Sequence, residues 1–308
     1  MDLNYPLVLS ALLIVFSYLY LIKNRGGSSG KSSVSSPMFV SNFSTDLTAA
    51  AREGKLDPVV GRDKEIRKVI QVLSRRRKNN IILFGKAGIG KTAIAEGLAI
   101  AIADKKVPQN LLDKIILKID ISSVLAGTKY RGDFEKRFKE LIDNIIAMDK
   151  KIIVFMDEIH TIVQAGGTEG AVDADDIIKS PLARGELQMI GTTTIDEYRK
   201  FIEPDKTLTR RFEGYLIQEP DKETTIAMLE ALKKGYEEYH RVKISSGIVR
   251  KIVNETARIK DRAFPDKAID ILDEVSAQVR LNNVDSLKII EVKDKDLKEV
   301  IKEYHNYN

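Results

Sequence analysis

The chain opens on an uncharged apolar run, Leu7 to Ile22 (LVLSALLIVFSYLYLI). At ~1.5 Å per residue this makes a helix of about 24 Å, a little under the ~30 Å hydrocarbon core of a bilayer. Lys23, Arg25 and Lys31 follow it, which keeps that flank on the cytoplasmic side, or in an organelle stroma or matrix. A cleaved signal needs a basic n-region, where this chain has Met1-Asp2-Leu3-Asn4-Tyr5, and small residues where it has Tyr18-Leu19-Tyr20. A core helix needs a polar face, and here only Ser10 and Ser17 supply one. The expectation is a single-pass transmembrane helix over residues 1–25 that inserts into membrane lipid. A flexible linker, residues 26–43, follows; its GGSSGKSSVSS stretch has little capacity to pack.

Beyond the linker the apolar positions fall into short runs separated by helical stripes. Thr48 to Gly54 predicts a short helix, LDPVVGR at 56–62 an extended entry segment, and Asp63 to Arg77 a helix with Ile66, Val69, Ile70 and Leu73 on one stripe. The Arg75-Arg76-Arg77-Lys78 run reads as its solvated end, where cations suit the dipole. Ile81–Phe84, Ile115–Ile119, Ile152–Met156, Met189–Thr193 and Gly214–Gln218 are apolar runs of strand length, and Thr92 to Ala103 is a helix. Strands alternating with helices predict a three-layer α/β sandwich with a parallel central sheet over residues 44–220. After Pro220 the period becomes helical: Asp221–Tyr239, Ser246–Ile259 and Lys267–Leu281, then a short β-like run at Lys288–Val292 and a helix at Asp294–Tyr304. This is a small, mostly helical second domain, residues 221–308.

Composition narrows the chemistry. With 43% hydrophobic and 31% charged residues the chain is globular, and its net charge of +5 is spread among interleaved acids and bases, so no nucleic-acid surface is expected. There are no cysteines, and His160, His240 and His305 do not cluster, which leaves Mg²⁺ as the metal the sequence asks for.

Two motifs ask for it. Gly85-Lys86-Ala87-Gly88-Ile89-Gly90-Lys91-Thr92 follows one strand, and Ile152-Ile153-Val154-Phe155-Met156-Asp157-Glu158 is another strand ending in two carboxylates. In the first, Gly85, Gly88, Ile89 and Gly90 let backbone N–H groups curl round phosphates, Lys91 supplies a point charge, and the Thr92 hydroxyl can ligate Mg²⁺. In the second, Asp157 holds the metal and Glu158 polarises the attacking water. Together they predict hydrolysis of ATP.

Several longer stretches carry a family resemblance. KLDPVVGRDKEI at 55–66, RRRKNNIILFGKAGIGKTAIAEGLA at 75–99, GTKYRGDFEKR at 127–137, IIVFMDEIHTIV at 152–163, LARGELQMIGTTTIDEYRKFIE at 182–203, TLTRRFE at 207–213 and FPDKAIDILDE at 264–274 resemble the first ATPase module of the Clp-type AAA+ unfoldases and chaperones, in order and at family-like spacing. The resemblance implies a P-loop AAA+ fold with a helical lid, using ATP and Mg²⁺ in a hexameric ring, homomeric or mixed. By the same resemblance Thr194 is the first sensor, which senses the γ-phosphate and positions water. Arg210 and Arg211 are arginine fingers acting on nucleotide held by the neighbouring subunit. Val59 and Val60 pack on adenine, and Lys267 lies near the second-sensor position. Lys129, Tyr130 and Arg131 form the pore loop that grips protein substrates, and Gly166-Gly167-Thr168-Glu169-Gly170 falls where a second pore loop would be.

The chain also departs from the pattern. Ala87 stands where the family commonly has proline, and Pro181 is displaced by one residue, which is expected to rearrange a helix near the subunit interface. No stretch resembles the globular Clp N-domain, the coiled-coil middle insert or the second ATPase ring, whose loop docks the peptidase, so partnership with that peptidase is not expected. The expected function is ATP-driven unfolding or remodelling of protein by threading it through a pore near a membrane. The alternative is a non-autonomous ATPase or scaffold subunit of a mixed or split Clp-type machine, working with a second-ring partner chain.

Overall fold

In the computed structural model, strand order carries the main consequence for function. The structure describes residues 37–128, 131–148, 151–164, 174–286 and 288–307. The expected anchor and most of the linker, residues 1–36, lie outside them. Among the described residues no helix is long and apolar enough to cross a membrane. Residues 37–308 make one compact unit.

The strands of the main sheet are β1 (Ser44–Asp46), β2 (Asn80–Phe84), β3 (Ile115–Ile119), β4 (Ile152–Met156), β5 (Met189–Thr193) and β6 (Phe212–Leu216). Their order is β1-β3-β4-β5-β2-β6. Every neighbouring pair is parallel except β1 with β3. The sheet is therefore mostly parallel, and the antiparallel edge strand β1 was not expected: three residues are too few to show a period. Alternation along the buried strands divides two cores. Ile82, Val154 and Met156 join Phe134, Phe138 and Leu141 on one face, while Ile81, Leu83, Ile153 and Phe155 join Ile94 and Leu98 on the other.

Two predicted elements have other bounds. The helix from Asp63 stops at Leu73, capped by Ser74, so the basic run lies beyond it. Lys78 takes φ +51, and Arg75, Lys78 and the helical Lys68 converge on Glu213 of β6, at 3.0, 3.9 and 3.2 Å. Arg75 and Lys78 thus pin the sheet edge, while Arg76 and Arg77 are exposed, as the solvated reading expected. Strand β6 starts two residues early; within it Gly214 has no Cβ to meet the Tyr198 ring, which stacks on Phe84 of β2 at 3.9 Å. The Ala174–Arg184 helix runs through Pro181, and its Lys179 pairs with Asp205 at 2.9 Å.

The helices Lys222–His240, Ser246–Thr256, Asp266–Leu281 and Asp294–Tyr307 enclose a third core around Leu229, Ile252, Leu272 and Val275. Two short parallel strands, β7 (Val242–Lys243) and β8 (Ile290–Glu291), complete this lid, β7 being the partner the predicted final strand lacked.

Candidate active site

The order β4-β5-β2 puts three strand ends side by side at the carboxyl edge of the sheet, where open parallel sheets bind ligands. Residues from all three line one cavity of about 360 Å³: Gly88, Gly90, Lys91 and Thr92 after β2, Asp157 and Glu158 after β4, and Thr192 to Thr194 with Glu197 at the end of β5. Asp266 of the lid closes another side.

The loop after β2 is shaped for an anion. Gly88 and Gly90 take φ +74 and +84, and a Cβ at Gly88 would come 2.6 Å from the Asp266 Cβ. Gly85 is equally constrained, since its Cβ would meet the Ile217 carbonyl oxygen at 2.6 Å. The Lys91–Ala103 helix begins at Gly90 with no side-chain cap, leaving its first N–H groups for a ligand. Lys91 Nζ donates to the Gly85 and Lys86 carbonyls at 3.1 and 2.8 Å. Burial pushes its pKa down, opposed by Asp157, Glu197 and Glu158. Ile89 is fully buried and anchors the loop from beneath.

Thr92 Oγ1 donates to Asp157 Oδ2 at 2.9 Å, which brings a hydroxyl and a carboxylate together as hard oxygen donors. With the loop N–H groups beside them they fit Mg²⁺ and a triphosphate. Glu158 is exposed and takes φ +49, a conformation non-glycine residues keep only when their surroundings impose it. Its N–H reaches Asp157 Oδ1 and Thr192 Oγ1, both at 3.2 Å. Thr192 also donates to Asp157 Oδ1. The acid pair is thus braced by the neighbouring strand.

Thr194 lines the cavity and caps the short Ile195–Glu197 helix through a reciprocal capping box with Glu197. Glu197 also meets buried His160, Nε2 to Oε1 at 2.9 Å. Burial works against its ionisation, yet the Thr194 hydroxyl and N–H and His160 hold its pKa below the ordinary carboxylate value.

Other predicted positions lie further off. Val59 packs over Gly97, where a Cβ would meet it at 3.2 Å, and Val60 is 36% exposed; neither lines the cavity. Lys267 does not reach it either: its ammonium donates to the Ile259 carbonyl at 2.7 Å and sits over the Phe264 ring, at 4% exposure. Asp266, one residue earlier, takes the place beside the loop, its N–H donating to the Gly88 carbonyl at 3.3 Å. Arg210 and Arg211 are exposed on the approach to β6, away from this cavity, and no side-chain partner is seen for either among the described residues. Lys129 and Tyr130 lie outside the described residues, as does Gly166 to Gly170; Arg131 begins the helix Arg131–Ala147.

Sequence reasoning missed Arg62, Thr192, His160, Glu197 and Glu219. Arg62 bonds the Gln218 carbonyl at 3.2 Å, Glu65 at 3.0 Å and the Ile89 carbonyl. Glu219 accepts from Lys86 at 3.1 Å and from the Phe264 N–H at 2.9 Å, tying the phosphate loop to the lid. One signal was legible, since Thr194-Ile195-Asp196-Glu197 has the spacing of a capping box.

Comparison with known proteins places this geometry. The profile of the ATPase family associated with various cellular activities (AAA) matches residues 81–213, and that of the AAA lid domain matches residues 221–308. The chain is 49% identical over 280 residues to the chaperone protein ClpB of Oceanobacillus iheyensis, covering 91% of this chain and 34% of that one. It is 52% identical over 243 residues to the Clp protease ATP-binding subunit ClpC of Staphylococcus aureus, covering 79% and 30%. Its fold matches the ADP complex of Saccharomyces cerevisiae Hsp104 with a TM-score of 0.79 at 38% identity, over 86% of this chain and 45% of that one. The chain spans about a third of the length of these curated relatives. A phosphate loop, an acid pair and a docked helical lid, with these matches, make the chain a member of the Clp/Hsp104-type AAA+ ATPases, as an AAA domain joined to its lid.

Proposed function

We propose that this chain binds and hydrolyses ATP and, in a ring of copies, uses the cycle to pull polypeptide through a central pore. The observation that carries the reading is one cavity holding Lys91, the Thr92–Asp157 pair and Glu158. The N–H groups of Gly88 to Thr92 and the Lys91 ammonium bind the phosphates. Thr92 and Asp157 hold Mg²⁺, which supplies neutralising charge on the phosphate oxygens when bound. Glu158 takes a proton from water as the water oxygen bonds to the γ-phosphorus. The bond from that phosphorus to the bridging oxygen breaks, and its electron pair leaves with ADP.

Arg210 and Arg211 are exposed and do not line their own cavity, which supports a role on a neighbour's nucleotide and hence a ring, hexameric by family resemblance. Hsp104, a structural relative, is seen in complex with casein, which supports protein as the substrate. Lys129, Tyr130 and Arg131 then serve as the pore-loop grip. A mixed ring, or pairing with a second-ring Clp-type chain, is the alternative assembly. Residues 7–22 anchor the chain in a bilayer, with the ATPase facing the cytoplasm, stroma or matrix; their uncharged sequence followed by Lys23 and Arg25 supports this.

The test joins ATP turnover to mass by light scattering across protein concentration. Cooperative turnover appearing with a hexamer is expected, and Glu158→Gln retains ATP binding while losing nearly all turnover. Undiminished turnover in that variant overturns the assignment. Leu12→Arg with Val15→Glu is expected to release the chain from lipid vesicles, each charge at a bilayer centre costing about 3 kcal/mol.

A further inference from the structure

The hydrogen bonds around Thr194 leave its hydroxyl one free direction, and that direction can only accept. Its single proton goes to Glu197 Oε2 at 2.7 Å. One of its lone pairs takes the Glu197 N–H at 3.3 Å, which leaves the other. Glu197 is in turn fixed from behind. Oε2 also accepts from the Thr194 N–H at 3.2 Å, and Oε1 meets His160 Nε2 at 2.9 Å; the Thr193 hydroxyl has one proton to give and lies nearer His160 Nδ1 than Oε2, which is 3.3 Å away. His160 is 7% exposed and its Nδ1 lies 3.0 Å from the Thr193 hydroxyl. An imidazole that accepts from Thr193 at Nδ1 carries its proton on Nε2 and donates it to Glu197.

We propose that Glu197 is a positioning residue for hydrolysis, locked by His160, which turns the Thr194 hydroxyl into an acceptor facing the cavity. A water there has two protons to give. Glu158 accepts one and Thr194 the other, which leaves an oxygen lone pair for the γ-phosphorus. On this arrangement Thr194 orients water and does not donate to the γ-phosphate. The inference rests on the hydrolysis reading and adds the His160–Glu197–Thr194 chain to it.

The test uses the full chain assembled as a ring. In Glu197→Gln an amide NH₂ set against the Thr194 hydroxyl turns its proton towards the cavity. The expected loss in kcat is on the order of 10²-fold, as for a misplaced reactant. ATP affinity should stay within about 2-fold of wild type, because the phosphate-binding groups are untouched. Adding Glu197→Gln to Thr194→Val should bring little further loss, since both remove the same function. His160→Gln, whose amide nitrogen can replace Nε2 as donor, should retain more turnover than His160→Leu. Independently of activity, ¹⁵N-histidine spectra should show a proton on His160 Nε2, facing Glu197, and none on Nδ1. Wild-type kcat in Glu197→Gln, losses that multiply in the double variant, parallel loss of ATP affinity and thermal stability, or a proton on Nδ1 would each overturn the proposal. A wild-type chain that forms its ring yet does not hydrolyse ATP would refute the function reading instead.

Discussion

Arg62 is a buried guanidinium, 4% exposed, that touches three separate parts of the molecule. Its fork joins the helix start at Glu65, the phosphate loop at the Ile89 carbonyl and the chain leaving the sheet at the Gln218 carbonyl. Replacing it by alanine strands the buried Ile89 carbonyl, a loss of about 1–3 kcal/mol, and releases the Gln218 carbonyl and the Glu65 carboxylate, which water can reach in part. Arg62→Ala is therefore expected to lower stability in urea unfolding and weaken ATP binding. Arg62→Lys should recover only part, because an ammonium cannot fork. Full stability in Arg62→Ala would mean that the loop is held by its glycines alone. This role was not legible in the sequence: Arg62 looks like any polar residue at the end of LDPVVGR, and its partners are 27 and 156 residues away. Lys91, Thr92, Asp157 and Glu158 were legible, because their types and spacing are dictated by phosphate and metal chemistry that acts within a few residues.

Among the elements, the strands of the main sheet were readable wherever four or five apolar residues ran together, and β1 and β7 were too short to see. Their order was beyond reach. Only the position of β5 between β4 and β2 brings Thr192 against Asp157 and sets Glu197 and His160 beside the loop. The link between sheet and lid has the same character. Glu219 lies just after the sheet and holds both Lys86 and the Phe264 N–H. Burial works against its ionisation, but the Phe264 N–H, Lys86 and Lys267 keep its pKa below the ordinary 4.5. A carboxylate lowered on folding stabilises fully above its unfolded value, and that stabilisation is lost as pH falls through the folded value. The gap in Tm between wild type and Glu219→Gln should thus be widest above about pH 5 and close in more acid solution. A gap that persists unchanged into acid would show that the carboxylate's charge plays no part in docking the lid.

For the whole molecule, the proposed ring rests on a cavity that the exposed Arg210 and Arg211 do not line. Asn80 donates to the Arg211 carbonyl at 3.3 Å, and Lys179 grips Asp205, which caps the helix leading to Arg210. The pair is held firmly, on the surface, away from its own loop. A chain with Arg210→Ala and Arg211→Ala should bind ATP but not turn it over, and Lys91→Ala should do neither. Mixed in equal amounts, they should regain about a quarter of wild-type turnover. In a random ring that is the share of intact loops facing intact fingers. No recovery on mixing would place the fingers in cis or leave them without a catalytic part.

Local sequence was enough for the alternation of strands and helices, the helical lid, the phosphate loop, the acid pair and the family to which they belong. Each of these is written in local period or in the spacing of a few neighbouring residues, where sterics and phosphate chemistry leave little choice. Long-range packing set which strand lies between the two motifs, what Arg62, Glu197 and Glu219 bind, that Lys267 turns away from the loop, and that Asp266 stands against Gly88. Those outcomes depend on contacts between residues tens of positions apart. Packing, and not propensity, selects such contacts, because a buried polar group must find a partner wherever the folded chain supplies one.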